Sequence, residues 1–390
     1  MKNLFLLILC VVFSTYQVAN AQEATTEETG SLTLSGSIDA YFRANLNAPN
    51  KGENFQAPAS SFGNLPGFSL GMANIIATYE GKKVGAVADL VFGPRGEDAV
   101  FGSPLYSGGM AGSSQIVNQL YVYWNVSDKV TLTMGNFNTF LGYEVISPTA
   151  NFNYSTSYMF SYGPFSHTGL KANFQLSDKF SFLAAVMNPT DMTEFNLIGT
   201  YTLGAQLGYS TDAGSTYLNF VYGDQDGKLS NDGSLIRDQS SLGKTFQVDL
   251  TTGFDLTDKF YLGFNTTYNT TSSGEIFTGS EIREVAGDGA GFYGFAGYLQ
   301  TKPSDKFGLG FRGEYFSVFN GGLEKVVGLD SEGSGSVFAA TLSGNIKIGG
   351  NLTLIPELRV DRMSNDFFKD KDLNDSKALI SCVMAAVFSF

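Results

Sequence analysis

Histidine is the side chain that enzymes use most often for proton transfer near neutral pH, and this chain has only one, His167. Metal sites built from several imidazoles are therefore excluded. A Ser-His-acid triad through His167 remains an alternative, but we interpret this residue as a structural hydrogen-bonding group at the start of a strand. Asp224 to Gly227 matches only the first positions of a calcium-binding loop, and it predicts a solvated acidic loop. We expect no enzyme, no cofactor and no metal site.

The other residues that could do chemistry are charged side chains on the polar faces of alternating segments. Period-two alternation places ten of them opposite the hydrophobic residues: Asp39, Arg43, Asp89, Lys171, Asp249, Arg312, Glu314, Glu357, Arg359 and Asp361. If that side encloses a water-filled channel, opposed charges produce a transverse field that tunes ion preference. Each residue could equally form an ion pair or hydrogen bond that only stabilises the wall, and both roles stay open.

A recurring turn positions these segments. It consists of a hydroxyl residue, Asp and Lys, and an alternating strand follows each copy, at Ser127–Lys129, Ser177–Lys179, Thr257–Lys259 and Ser304–Lys306. Hydroxyl and Asp side chains favour tight turns because they hydrogen-bond nearby backbone groups. Three further short turns are predicted, at 81–83, 212–214 and 349–351. Seven short turns separate eight hairpins, which predicts sixteen strands, plus or minus two.

Composition favours a membrane as the surroundings of this sheet. Charged residues make up 16% of the chain, against ~25% in soluble domains, while Phe and Tyr number 34 and 19. After the leader, no run approaches the ~18–20 apolar residues of a transmembrane helix. We therefore predict an all-β fold, a transmembrane antiparallel up-and-down β-barrel with short periplasmic turns and long extracellular loops. A large soluble β-protein is the alternative.

The N-terminus predicts export. Residues 1–21 have the pattern of a signal peptide, with Lys2 before an apolar core and Ala19-Asn20-Ala21 as the cleavage site. Residues 22–30 predict a disordered periplasmic tail, and residues 31–390 predict a barrel in the cell outer membrane. The net charge of −13 becomes −14 once Lys2 is removed. No basic stripe exists to neutralise phosphates, which argues against a nucleic-acid partner.

The last strand carries a separate signal. From Ile380 to the terminal Phe390, every second residue lies on one face that closes on an aromatic side chain. This pattern resembles the signal by which outer-membrane barrels are recognised, so we expect the barrel-assembly machinery as a partner, beside outer-membrane lipid and lipopolysaccharide. Three aromatic residues next to short turns fall on the outward face of their strands: Trp124, Tyr79 and Tyr209. They predict a periplasmic aromatic girdle.

One long loop is the candidate constriction. A barrel of sixteen strands is too wide for its strand side chains to fill, and residues 140–165 are unusually aromatic, with Tyr154 and Phe160 among them. Aromatic side chains have reason to avoid bulk water, which predicts that this loop folds inwards. Glu144 is our first candidate for the constriction, and a carboxylate that anchors the loop to wall arginines is the alternative. The other long loops are predicted near 47–67, 95–113, 190–196, 225–241, 273–287, 320–334 and 364–375.

The block from Met134 to Asn188 goes beyond a generic barrel pattern. Its motifs, in order, are Met134-Gly-Asn-Phe-Asn138, Leu141-Gly-Tyr-Glu-Val145, Asn153-Tyr-Ser155, Tyr162-Gly-Pro164 and His167-Thr-Gly169. In these motifs the chain resembles the putative β-barrel porin type 2 family (OmpL-like). The resemblance implies an outer-membrane channel of a Gram-negative bacterium and no particular solute. Asn188-Pro189 departs from the Asn-Gly expected of the family.

Together these features predict a porin that passes small hydrophilic solutes and ions by passive diffusion. The acidic balance adds an expectation of mild cation preference. The alternative is a non-conducting barrel, either structural, an adhesin or part of an envelope complex. A homo-oligomer is compatible with the sequence, although no residue indicates a subunit interface.

Overall fold

The computed structural model of the chain describes residues 30–100, 116–196, 199–223, 244–272, 274–277, 282–285, 289–323 and 326–390. The predicted signal peptide, nearly all of the predicted tail and the acidic segment from Asp224 to Gly227 lie outside these residues.

Strands dominate the described part of the chain. In chain order they are β1 Ser31–Asn45, β2 Gly67–Glu80, β3 Val84–Phe92, β4 Val117–Ser127, β5 Val130–Asn138, β6 Ser166–Gln175, β7 Phe180–Met187, β8 Thr202–Thr211, β9 Gly214–Gly223, β10 Thr245–Thr257, β11 Phe260–Thr271, β12 Gly274–Phe277, β13 Ile282–Val285, β14 Ala290–Ser304, β15 Phe307–Phe319, β16 Gly335–Ile348, β17 Leu352–Met363, β18 Phe368–Lys369, β19 Asp375–Ser376 and β20 Ala378–Ser389. Short helices cover Pro94–Val100 and Tyr158–Tyr162, and a 3-10 turn covers Gly52–Asn54.

Sixteen of these strands form one closed antiparallel barrel, and β12–β13 and β18–β19 are separate hairpins in the loops. The barrel closes where β1 pairs with β20. Phe390 extends this ladder, because it exchanges two backbone hydrogen bonds of 3.1 Å with Gly36. A closed ladder has no free strand edge, as a sheet surrounded by lipid requires. The prediction of a sixteen-stranded barrel is confirmed.

The recurring turn connects the two strands of a hairpin, as its hydroxyl and Asp residues predict. Ser127 pairs with Val130 across Asp128 and Lys129, and Thr257 pairs with Phe260 in the same way. The Thr257 hydroxyl accepts hydrogen bonds of 3.2 Å from the backbone N–H groups of Lys259 and Phe260. The turn is therefore stabilised locally, which is why it could be identified before the barrel was known.

The two faces of the barrel wall differ sharply. On β15, Phe307 and Leu309 are exposed on the outside, whereas Arg312 and Glu314 point inwards and are 0% and 1% exposed. The outer face continues as a hydrophobic belt around the barrel, and Trp124 and Tyr79 are exposed beside the short turns. None of the helices in the described ranges is long and apolar enough to cross a membrane.

Much of the barrel interior is occupied. The connection from β5 to β6, residues 139–165 and called the inner loop below, carries the buried helix Tyr158–Tyr162 into the lumen. Tyr158 and Met159 pack with Phe292, Phe316 and other buried side chains of the barrel wall. Most of the predicted charged residues meet at this loop.

Candidate functional site

The inner loop first follows the barrel wall. Gly142 donates its backbone N–H to Asp249 at 2.9 Å, with a φ of 84° that favours glycine. The Tyr143 ring stacks on Tyr298 with centroids 4.0 Å apart, and its hydroxyl donates to Tyr261 at 2.8 Å. Asp249 therefore fixes the start of the loop.

A buried ion pair holds the next part of the inner loop. Arg312 and Glu144 lie 2.5 Å apart, and their side chains are 0% and 4% exposed. The second Glu144 oxygen accepts the backbone N–H of Ser157 at 2.7 Å, and Arg312 donates to the Ser155 carbonyl at 2.7 Å. Breaking a buried pair leaves an uncompensated charge, so these contacts fix two parts of the loop against β15. Of the two roles considered for Glu144, these contacts match the anchor.

Two wall carboxylates bind backbone N–H groups of the loop. Glu357 accepts from Tyr154 at 2.8 Å and from Ser155 at 3.2 Å. Glu314 accepts from Tyr158 at 2.9 Å and from Met159 at 2.8 Å. The Glu314 carboxylate thus occupies the N-terminus of the short helix, where N–H groups lack partners within the helix.

Two tyrosine hydroxyls complete the attachment. Tyr154 donates to Asp39 at 2.5 Å, and Tyr158 donates to Asp361 at 3.0 Å. Burial and the neighbouring Asp361 carboxylate raise the pKa of the Tyr158 hydroxyl well above its ordinary value. Tyr158 therefore remains a donor at any physiological pH. Arg359 pairs with Asp361 at 2.8 Å and donates to the Thr156 carbonyl at 2.8 Å.

Arg95, which the sequence did not single out, also binds the loop. It lies in the helix Pro94–Val100 and donates to the carbonyls of Ile146 at 2.8 Å and Tyr154 at 3.2 Å. Its guanidinium group also lies 4.5 Å from the Phe62 ring centroid. Strand alternation identifies inward-facing residues, but it does not apply within a predicted outer loop. Only the positive charge of Arg95 beside a Gly-Pro pair could have indicated this residue.

We expect Arg95→Met to loosen the loop without opening the barrel. The loss of two hydrogen bonds from a charged donor costs about 1.5–3 kcal/mol each where the partners stay buried. Limited proteolysis of the protein in lipid vesicles should then cut the inner loop faster. Glu97→Gln, an exposed change in the same helix, is the matched control, and equal cleavage rates in both variants would contradict the role of Arg95.

The end of the loop has two further anchors. Asp191 accepts the backbone N–H groups of Phe165 and Ser166, both at 2.8 Å; the sequence did not identify this residue. The buried His167 lies 2.9 Å from the Thr139 hydroxyl through Nε2. This geometry matches the interpretation of His167 as a structural hydrogen-bonding residue at the start of β6.

The structure therefore divides the eleven predicted site residues. The inner loop includes Glu144, and seven of the wall residues hydrogen-bond to the loop: Asp39, Asp249, Arg312, Glu314, Glu357, Arg359 and Asp361. The other three residues contact groups outside the inner loop. Arg43 donates to Asn45 and the Gln56 carbonyl, Asp89 accepts from Asn74 and Asn118, and Lys171 lies against the Phe137 ring.

A cavity of about 960 Å³ lies between the inner loop and the short turns. Aromatic and polar side chains line it, among them Tyr143, Phe152, Tyr217, Tyr261, Tyr298, Gln300, Asn345, Lys259, Lys302 and Lys347. A space of this size and polarity can hold small hydrated solutes. Within the described residues, no group of His, Cys, Asp and Glu side chains could hold a metal ion.

Comparison with known proteins gives a family and a fold. The family model described as "Putative beta-barrel porin-2, OmpL-like" matches residues 31–390. No curated protein is significantly similar in sequence. Similar solved structures include the outer membrane channel DcaP of Acinetobacter baumannii (TM-score 0.56, 12% identity, 96% of this chain and 100% of that chain). An anion-selective porin from Comamonas acidovorans has a TM-score of 0.56 at 8% identity, covering 93% and 100%. The trimer form of OmpT from Vibrio cholerae has a TM-score of 0.54 at 12% identity, also covering 93% and 100%. At these identities the structures show the fold alone.

Proposed function

This chain belongs to the putative beta-barrel porin-2, OmpL-like family, and from that membership we propose that it forms a water-filled channel through which small hydrophilic solutes and ions diffuse passively. It is an outer-membrane barrel of the porin type. We infer that the inner loop is its constriction and that it works without a cofactor or catalytic residue.

The attachment of the inner loop is the observation that carries this proposal. Its charged anchors lie mainly on the inner face of β1 and β15–β17, called the packed side below, and they are almost fully buried. Across the lumen, the first residues of the loop also contact the wall, because Leu141 packs with Met187 and Val221 and the Phe140 carbonyl accepts from Gln206. The inner face of β4–β6, called the accessible side, carries half-buried polar residues such as Gln119, Tyr121 and Asn173. A loop held inside a wide barrel narrows the lumen, and we infer that the passage runs along the accessible side.

The partners that follow are those of a diffusion channel. The hydrophobic belt fits outer-membrane lipid and lipopolysaccharide, and the final strand ending at Phe390 fits recognition by the barrel-assembly machinery. Small hydrophilic solutes would cross along the accessible side. The trimer described for OmpT makes a homo-oligomer a reasonable expectation here.

Planar bilayers test the proposal directly. Purified protein should give discrete conductance steps, and liposomes that contain it should swell in sugars at rates that fall with sugar size. Protein denatured before reconstitution is the control for leakage. Reconstituted barrels that neither conduct nor admit sugars would reject the channel and favour the structural, adhesin or envelope-complex alternative.

A further inference from the structure

The charges inside the barrel differ in whether water can reach them. Seven carboxylates point into the lumen or belong to the inner loop, and each is at most 6% exposed: Asp39, Asp89, Glu144, Asp249, Glu314, Glu357 and Asp361. Each accepts hydrogen bonds from at least two donors. The arginines Arg43, Arg95, Arg312 and Arg359 are at most 2% exposed. Apart from Glu144, which borders the cavity, these groups are shielded from hydrated solutes by the inner loop or neighbouring side chains.

Lys171 is different. It lies at the middle of β6, paired with Thr133 on β5 and Ala185 on β7, and its side chain is half-buried on the accessible side. Its Nζ lies 4.0 Å from the Phe137 ring centroid. Within the part of the chain that the structure describes, Lys171 forms no ion pair with a carboxylate.

These contacts hold a positive charge on the accessible side. An aromatic face attracts an ammonium group but does not neutralise it, so the Lys171 charge remains available to a second, anionic partner. Asn173 is the next residue of β6 on the same inner face, and it is also half-buried. Its partner on β5 is Thr131. Amide and hydroxyl groups can donate hydrogen bonds to an anion beside the lysine.

We propose that Lys171 determines the charge selectivity of the channel, because it binds the carboxylate or phosphate groups of solutes that pass along the accessible side. The inference rests on the proposed channel function. It assigns the other ten predicted residues to holding the loop and wall, and gives solute contact to Lys171. The net charge of the chain is then a poor guide to selectivity, since charges in the outer loops are screened over about 10 Å at 0.1 M salt.

Reversal potentials in a KCl gradient test this assignment with the full-length protein in planar bilayers. In Lys171→Gln the ratio of chloride to potassium permeability should fall roughly fivefold, the effect expected of one unit charge near the path. Lys171→Glu should lower it further, and Lys171→Arg should leave it near the wild-type value. Lys129→Gln, in an exposed turn, is the matched control. The differences should shrink in 1 M KCl, where screening reaches about 3 Å.

The outcomes separate the two proposals. An unchanged permeability ratio in conducting Lys171→Gln and Lys171→Glu channels would overturn the role of Lys171 and leave the channel proposal intact. Absence of conductance in the wild type as well would overturn both. If Lys171→Glu fails to insert, the comparison of Lys171→Gln with Lys171→Arg decides, because neither places a negative charge in the wall.

Discussion

Removal of the inner loop is expected to raise the single-channel conductance several-fold. Asn138 and Ser166, which flank the loop, pair directly across β5 and β6. Residues 139–165 can therefore be replaced by a Gly-Ser turn of about four residues without changing the strand register. The wall keeps its hydrogen-bonded ladder, and the freed carboxylates and arginines become hydrated. Conductance should rise because the proposed constriction is removed.

Conductance in planar bilayers and the size limit for sugars in swelling liposomes measure this change. A matched control replaces the exposed tip of the β18–β19 hairpin, residues 370–374, with Gly-Ser, because this tip lies outside the inner loop. That control should conduct like the wild type. If the loop-deleted channel kept the wild-type conductance and size limit, the constriction would have to lie elsewhere, even though the channel itself would stand.

Arg312→Met should produce the largest loss of stability from a single substitution. The change leaves the Glu144 carboxylate buried without its cation and removes the donor to the Ser155 carbonyl. Removing one partner of a buried ion pair typically costs about 3–5 kcal/mol in the free energy of unfolding. The released loop should also make the open-channel current noisier, since its position is then less well fixed.

Urea unfolding in lipid vesicles, followed through the fluorescence of the single tryptophan Trp124, measures the cost. The double variant Arg312→Met/Glu144→Gln should recover part of it, because the uncompensated charge is gone. Lys306→Met, in an exposed turn, should change stability by less than about 0.5 kcal/mol. Equal unfolding free energies for Arg312→Met and Lys306→Met would show that the buried pair does not hold the loop.

The sequence by itself determined the wall of this protein. Strand parity depends only on alternation, and the Asp-Lys turns depend on hydrogen bonds within a few residues. Both signals are local, so the barrel, its turns and the inward orientation of residues such as Arg312 and Glu357 could be predicted. The aromatic content of residues 140–165 also indicated that this loop avoids water.

Only the tertiary structure decided which charges hold the loop. Arg312 and Glu144 are 168 residues apart in the chain, and Glu357 and Tyr154 are 203 apart, so no local pattern can predict these pairs. Arg95 lies in a short helix and Asp191 in a loop, so strand parity could identify neither of them. Burial of a charge depends on what packs over it. For that reason the sequence grouped Lys171 with ten other charged residues, whereas the fold leaves it half-buried on the accessible side.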